Sequence, residues 1–293
     1  MPPTVSDYYH TLESRLGYRL VLGGTRHFGY YEEGTLWPFP LSSALRRMEE
    51  RLCQTLGLKD NALVLDAGTG TGDVAIYMSK KGLIIKGIDL VDMHVQWARA
   101  NVRRKRLEGQ VEVSNGSYEK LDFDNASFDG VYTMETLVHA DDPDQAMREF
   151  YRVLKPSEVV THFKYEHDME SNPAGRRAMR RINIYTSMPD FEQFPVGTIQ
   201  KKLKQAGLCD IEVQDLTQNV APIMRFFFLL AYISYLIIQL LGLEAHFVNA
   251  MAGVELWRHG DNIRYLAFKA RKPPQEPSAS DELRRRLTET DAT

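Results

Sequence analysis

With 293 residues, 43% of them hydrophobic and 26% charged, the chain is long enough to bury a substantial core as one elaborated domain. A formal net charge of -3 offers no basic footprint for a nucleic acid. Two cysteines, Cys53 and Cys209, are too few and too far apart for a disulfide framework or a metal site, and are expected to be buried, inert thiols.

The opening residues Met1 to Asp7 lack the charged and apolar regions of a secretory signal, so a reducing, cytoplasmic setting is expected. The first informative stretch is His27 to Gly34, followed by Trp37, Phe39 and a predicted helix from about Leu41 to Leu56. An aromatic segment ahead of the first strand suits a lid that excludes water and supplies an apolar wall, with Tyr30 a candidate hydrogen-bond donor. The competing reading is a packed N-terminal helix edge.

Ala62 to Asp73 is an apolar run ending in an acid and three alternating glycines, which predicts a buried strand, a tight loop and a helix from Val74 to Lys80. Glycines let the backbone bend and approach a ligand closely, and free N–H groups at a helix start favour a negative group such as a carboxylate. A dinucleotide fingerprint counted from Gly68 would need glycine where Asp73 stands, and a phosphate loop would need Lys and Ser/Thr after its last glycine. What remains, Asp66-x-Gly68-x-Gly70-x-Gly72, resembles the first motif of class I S-adenosylmethionine (SAM) methyltransferases.

Later elements follow that family in order. Leu83 to Ile88 is a predicted strand ending in Asp89, placed to accept hydrogen bonds from a ribose diol or to cap the helix starting near Asp92. Val111 to Ser114 reads as a third strand. In Asn115-Gly116-Ser117-Tyr118 the aspartate the family uses for the adenine amino group is missing, leaving Ser117 or backbone to make that contact and Tyr118 to cover the ring. Phe128 to Thr133 is the fourth strand, leading into Met134, Glu135 and His139. Glu135 and His139 are four apart, so on a helical turn they would share a face as base and orienting acid; the alternative is a local ion pair that shapes the loop.

Met147 to Pro156 predicts an amphipathic helix stopped by proline, with Ser157-Glu158 where the family has two glycines, so an altered loop is expected before a fifth strand from Val159 to Phe163. Arg176, Arg177, Arg180 and Arg181 read as a solvated helix face, or as a holder of a substrate anion. A sixth strand is expected at about Ile211 to Asp215. Phe226 to Leu243 is apolar enough for a tilted membrane span, yet Asn262 to Ala270 returns to strand-like sequence. Helices lining a chamber for a hydrophobic molecule are therefore favoured, and peripheral membrane contact stays open. From Pro273 the chain reads as a disordered tail with a frayed helix near Leu283 to Leu287.

From about Tyr8 to Lys272 the sequence resembles the sterol C-methyltransferase and tocopherol methyltransferase-like branch of that family. The resemblance implies a Rossmann-like α/β fold: a seven-stranded, mostly parallel sheet with the last strand antiparallel, a helical N-terminal lid and a helical insertion before that strand. The boundaries drawn are 1–57 for the lid, 58–217 for the core, 218–261 for the apolar insertion, 262–272 for the last strand and 273–293 for the tail. It also implies SAM as cofactor, held by Asp66, Gly68, Gly70, Gly72, Asp89, Ser117, Tyr118 and Met134, with Glu135, His139 and Tyr30 as catalytic candidates and no metal. The expected reaction is C- or O-methylation of a terpenoid, sterol-like or polyketide-derived molecule. A cyclisation on the same fold with SAM kept intact is the alternative, and a non-catalytic lipid-binding or SAM-sensing subunit is the third reading.

Overall fold

Successive apolar residues of the central strands point to opposite faces of one sheet, and each face is covered by helices. This arrangement is seen in a computed structural model that describes Thr25 and residues 27–168, 172–186, 194–242, 254 and 263–275. In chain order the elements are α1 (Leu41–Leu56), β1 (Leu63–Ala67), α2 (Asp73–Lys80), β2 (Ile84–Asp89), α3 (Asp92–Lys105), β3 (Val111–Asn115) and β4 (Phe128–Met134). They continue with a 3₁₀ turn (Leu137–His139), α4 (Pro143–Val153), β5 (Leu154–His167), α5 (Pro173–Thr186), α6 (Thr198–Gln205), β6 (Cys209–Asp215), α7 (Thr217–Leu241) and β7 (Ile263–Arg271). The sheet order is β3-β2-β1-β4-β5-β7-β6, with β7 antiparallel to both neighbours and the other pairings parallel.

Val64, Tyr132, Phe163 and Tyr265 face one layer, packed against Met48, Leu52 and Leu56 of α1 and against α2 and α3. Leu65, Val131, Val160 and Phe268 face the other, against Met147, Phe150 and Val153 of α4 and Ile199 and Leu203 of α6. Burying a side chain such as Leu52 or Phe150 contributes roughly 1.5–3 kcal/mol each, so these two layers hold the strand ends that carry the site. Helix α1 spans the residues its apolar spacing predicts and stops where Gly57 turns left-handed and returns its N–H to Cys53 O.

The boundaries of α4 and β5 differ from the sequence reading at both ends. The amphipathic helix occupies Pro143–Val153, with Asp142 capping it through Gln145 N–H, and β5 already begins at Leu154. Pro156 therefore lies inside a strand rather than ending a helix. It sits where the register jumps from Phe128↔Leu154 to Gly130↔Val159, an irregularity that removes the need for a ladder donor. Ser157 adopts φ +68, so the turn keeps a left-handed backbone with serine where glycine was expected. The end of β7 pins it: Ser157 N–H donates to Lys272 O, and the Arg271 guanidinium donates to Ser157 O.

Cys53 and Cys209 are free and half-buried rather than buried. Burial is the leading cause raising both thiol pKa values, which keeps them in the unreactive form. Arg176, Arg177 and Arg180 are exposed on α5, while Met179 of the same helix is buried. The side chain of Arg181, residues 1–24, the stretch from 276 onward with its Leu283–Leu287 helix, and most of 243–262 lie outside the described residues.

Candidate cofactor and substrate cavity

The carboxyl ends of β1, β2 and β4 open into one cavity of about 470 Å³. Doubly wound sheets bind ligands at this edge, where the chain order reverses and loops leave the strands. The glycine loop forms its floor. Gly68 and Thr69 both donate backbone N–H groups to Ile88 O, folding the loop over the end of β2. Gly68 has φ +95, and a Cβ there would lie 2.6 Å from Thr136 Cβ, so the loop and the segment after β4 meet only because this position is glycine. Gly72 starts α2 with φ +79 and faces Ala98 of α3, giving it a helix-packing role; it is absent from the cavity lining, which Gly68 and Gly70 share.

Asp66 and Asp89 both line the cavity. Thr69 Oγ1 donates to Asp66 Oδ2 at 2.7 Å, yet burial pushes the Asp66 carboxyl up to about 7. Asp89 is engaged by both the glycine loop and the start of α3, whose N-cap residue is Val91 with no side-chain capping bond. Its Oδ1 accepts from Val91 N–H and His94 Nδ1 at the head of α3, and its Oδ2 accepts from Gly70 N–H at 2.8 Å. Burial opposes the Asp89 charge, but His94 and the two amides hold its pKa below the usual carboxylate range. A carboxylate has about four acceptor sites, so three are filled and one remains for a ribose hydroxyl, fewer than the two that a diol would need. Ser117 and Tyr118 line the cavity beyond Asp89. Tyr118 is anchored by its hydroxyl to Thr136 O at 3.1 Å, and Ser117 Oγ accepts from Glu119 N–H. Met134 closes the wall at the end of β4.

The other half of the cavity is apolar and aromatic. Phe28 comes from the N-terminal segment and stands edge-on to Tyr165 at 5.6 Å and to Tyr265 at 6.1 Å. Met179, Met224, Val138 and Ile263 complete this wall, so α5, α7 and β7 each contribute to it. Glu135 ties the N-terminal segment to the sheet: its Oε1 accepts from Phe28 N–H at 2.9 Å and from Tyr265 hydroxyl at 2.8 Å. Both bonds fall on one oxygen, leaving Oε2 available to the cavity. Burial raises the Glu135 carboxyl to about 7 against the pull of Phe28 N–H, Tyr265 and His27, so at neutral pH it exists both as acid and as carboxylate.

Glu135 and His139 line the same cavity but do not share a helical face. Glu135 has φ +59 and precedes the single 3₁₀ turn that carries His139, which breaks the four-residue helical spacing. Tyr30 is absent from the cavity lining; its backbone is held by Ala44 O and Arg47. Its place is taken by His27 and Phe28, residues named in the lid segment but not singled out. His27 faces two acceptors, Phe28 O at 3.0 Å from Nδ1 and Glu49 Oε1 at 3.4 Å from Nε2, which calls for the imidazolium. Burial lowers its pKa, but Glu49, the Phe28 carbonyl and Glu135 together raise it.

A buried carboxyl at Asp66, a glycine loop and an acceptor at Asp89 fit a ligand that carries positive charge and a diol, which is the chemistry of SAM. A cation beside Asp66 favours its ionised form, so SAM binding is expected to release a fraction of a proton near pH 7. Calorimetric titration in two buffers of different ionisation enthalpy reads that proton; in the Asp66→Asn protein it should shrink to what the Glu135 carboxyl, also near 7, releases.

This fold and this edge define a Rossmann-like cofactor-dependent enzyme. A family described as methyltransferase domain matches residues 65–160. The chain is 39% identical over 277 residues to the S-adenosyl-L-methionine-dependent Diels-Alderase iccD of Talaromyces variabilis, covering 92% of this chain and 94% of that one. It is 30% identical over 204 residues to the sterol 24-C-methyltransferase of Kluyveromyces lactis, covering 67% of this chain and 53% of the relative. Among solved structures, the [4+2]-cyclase SpnF superposes with a TM-score of 0.73 at 22% identity, covering 93% of this chain and 98% of that one, a likeness of fold. The chain belongs to the class I SAM-dependent methyltransferase family, whose members include both methyltransferases and Diels-Alderases.

Proposed function

We propose that this protein is a SAM-binding pericyclase that closes a ring in a hydrophobic polyene by intramolecular [4+2] cycloaddition. The observation that carries the reading is similarity to a Diels-Alderase over nearly the whole of both chains, lid and insertion included, whereas the sterol methyltransferase aligns over about half its length. The cavity supports it, because the glycine loop and the aromatic wall open into one space.

In this reading Phe28, Tyr165, Met179 and Met224 hold the polyene in the one conformer that brings diene and dienophile together. Fixing reactive geometry replaces the entropy a free chain would lose at the transition state. The protonated form of Glu135 donates from Oε2 to a carbonyl conjugated with the dienophile, and that bond strengthens as electron density moves onto the oxygen. Tyr265 and Phe28 N–H orient the carboxyl by occupying Oε1. The glycine loop, Asp66, Asp89, Ser117 and Tyr118 would hold SAM, which would supply a positive charge to the cavity. Two σ bonds form, three π bonds become one, and no atom leaves.

The second reading is methyl transfer, favoured by the complete Asp66 to Gly72 loop and by the likeness to sterol methyltransferases. There the ionised form of Glu135 accepts a proton. Incubating the purified protein with SAM and a linear polyene that carries a diene and an activated alkene decides between them. The pericyclase reading expects a cyclic product of unchanged mass; a product heavier by one methylene unit would replace it with methyl transfer.

A further inference from the structure

From Phe226 to Leu241, α7 contains no Asp, Glu, Lys or Arg, and by length and composition it is the one helix among the described residues apolar enough to cross a membrane. Only 17% of its most apolar window is buried. Leu229, Leu230, Ile233, Leu236, Ile237 and Leu240 are all exposed. The same patch continues into the lid, where Trp37 is 64% and Phe39 46% exposed and the Phe39 ring stands edge-on to Phe226 at 5.1 Å.

The width of this face distinguishes among its occupants. At about 100° per residue these six positions span an arc of roughly 120°, which the exposed Leu241 widens to about 140°. A second copy packing helix to helix would bury the narrow seam Leu230, Ile233, Ile237 and Leu240 at heptad spacing, and coiled coils place charged residues beside that seam. Here three of the four flanking positions are Leu229, Leu236 and Leu241, which such a seam would leave wet, and the fourth is Ser234; none is charged. A broad apolar face edged by Trp37 matches a lipid surface, where tryptophan settles at the polar boundary. A span does not fit the topology. β6 ends at Asp215 beside Leu266 of β7, so the chain leaves and rejoins the sheet at one end.

The patch also connects to the site. Phe226 neighbours Phe227 at 6.3 Å, and Phe227 neighbours the cavity residue Phe28 at 6.1 Å, so a file of aromatic rings runs from the exposed face to the cavity wall. We infer that the outer face of α7, with Trp37 and Phe39, docks on the surface of a lipid bilayer and opens the cavity toward lipid-dissolved molecules. The contact is apolar and therefore insensitive to salt.

The test is cosedimentation of the full-length protein with phosphatidylcholine vesicles, repeated with added phosphatidylserine and at high salt. The protein is expected to pellet with neutral vesicles at either salt. The double variant Ile233→Glu/Ile237→Glu should lose at least tenfold in partitioning while keeping its SAM affinity. Equal partitioning of wild type and variant would overturn the inference, as would binding confined to anionic vesicles and abolished by salt. A vesicle-free protein also overturns it; if sedimentation velocity then shows a dimer that the variant loses, the occupant is a second copy.

Discussion

Gly68→Ala should weaken SAM binding by more than about a hundredfold while leaving a folded protein. A methyl group there meets Thr136 Cβ and Cγ2 at 2.6 Å, and φ +95 is a backbone conformation that residues with a side chain rarely adopt. Strain of that kind costs of order 1–3 kcal/mol before the clash is added, and every 1.4 kcal/mol is a factor of ten in affinity. The loop relieves it by pulling away from Thr136 and Ile88 O, which displaces Gly70 and the Asp89 carboxylate bound to it. Gly197 supplies the control. Its φ is +88 with open space around the missing Cβ, so Gly197→Ala imposes backbone strain alone, outside the cavity lining. Isothermal titration of both variants should show lost affinity for Gly68→Ala and unchanged affinity for Gly197→Ala.

Glu135 is expected to divide its effects between two substitutions. Glu135→Leu leaves Phe28 N–H and the Tyr265 hydroxyl without their acceptor, each loss costing about 1–3 kcal/mol, and removes the donor to substrate. Cyclisation should fall about a hundredfold or more, the range for losing one preorganised donor, with a lower melting temperature. Glu135→Gln retains an acceptor for both anchors and an N–H donor for the carbonyl, so its rate should stay within about tenfold of wild type. The pH profile separates roles. The acid form donates in cyclisation, so the wild-type rate should fall as pH rises through about 7, where the Glu135 carboxyl titrates, and the glutamine protein should be flat across that range. A wild-type rate that instead rises through pH 7, with glutamine as damaged as leucine, would make Glu135 a base.

The glycine-loop side of the cavity was legible because it is local, although Gly72 proved to pack helices rather than line the cavity. Asp66 to Gly72 and Asp89 are encoded by neighbours in sequence, and the strand before and helix after them follow from period and glycine placement. Helix α1 was legible for the same reason, being one apolar stripe ended by Gly57. The apolar, aromatic side depends on distant contacts. Tyr265 reaches Glu135 only because β7 inserts antiparallel beside β5, a pairing across roughly a hundred residues of chain that no local pattern announces. The signal for His27 was present in the lid segment, but its pairing with Glu49 requires α1 to lie beneath it. The Val153/Leu154 boundary was misplaced because proline was read as a helix stop, whereas register with β4 sets where β5 begins. For α7, composition shows that the segment is apolar but not which face meets protein. Tertiary packing settles that by burying Val220, Ile223, Tyr235 and Ile238 and leaving Leu229, Leu230, Ile233, Leu236, Ile237 and Leu240 outside.

The central claim is that SAM and substrate share one cavity while SAM stays intact through turnover. The most direct measurement loads the protein with SAM labelled in its methyl group, runs many turnovers on the linear polyene, and recovers the cofactor. The account predicts that labelled SAM is returned in full, that no S-adenosylhomocysteine forms, and that cyclisation stops when SAM is removed. S-Adenosylhomocysteine equimolar with product, and label in that product, would contradict it.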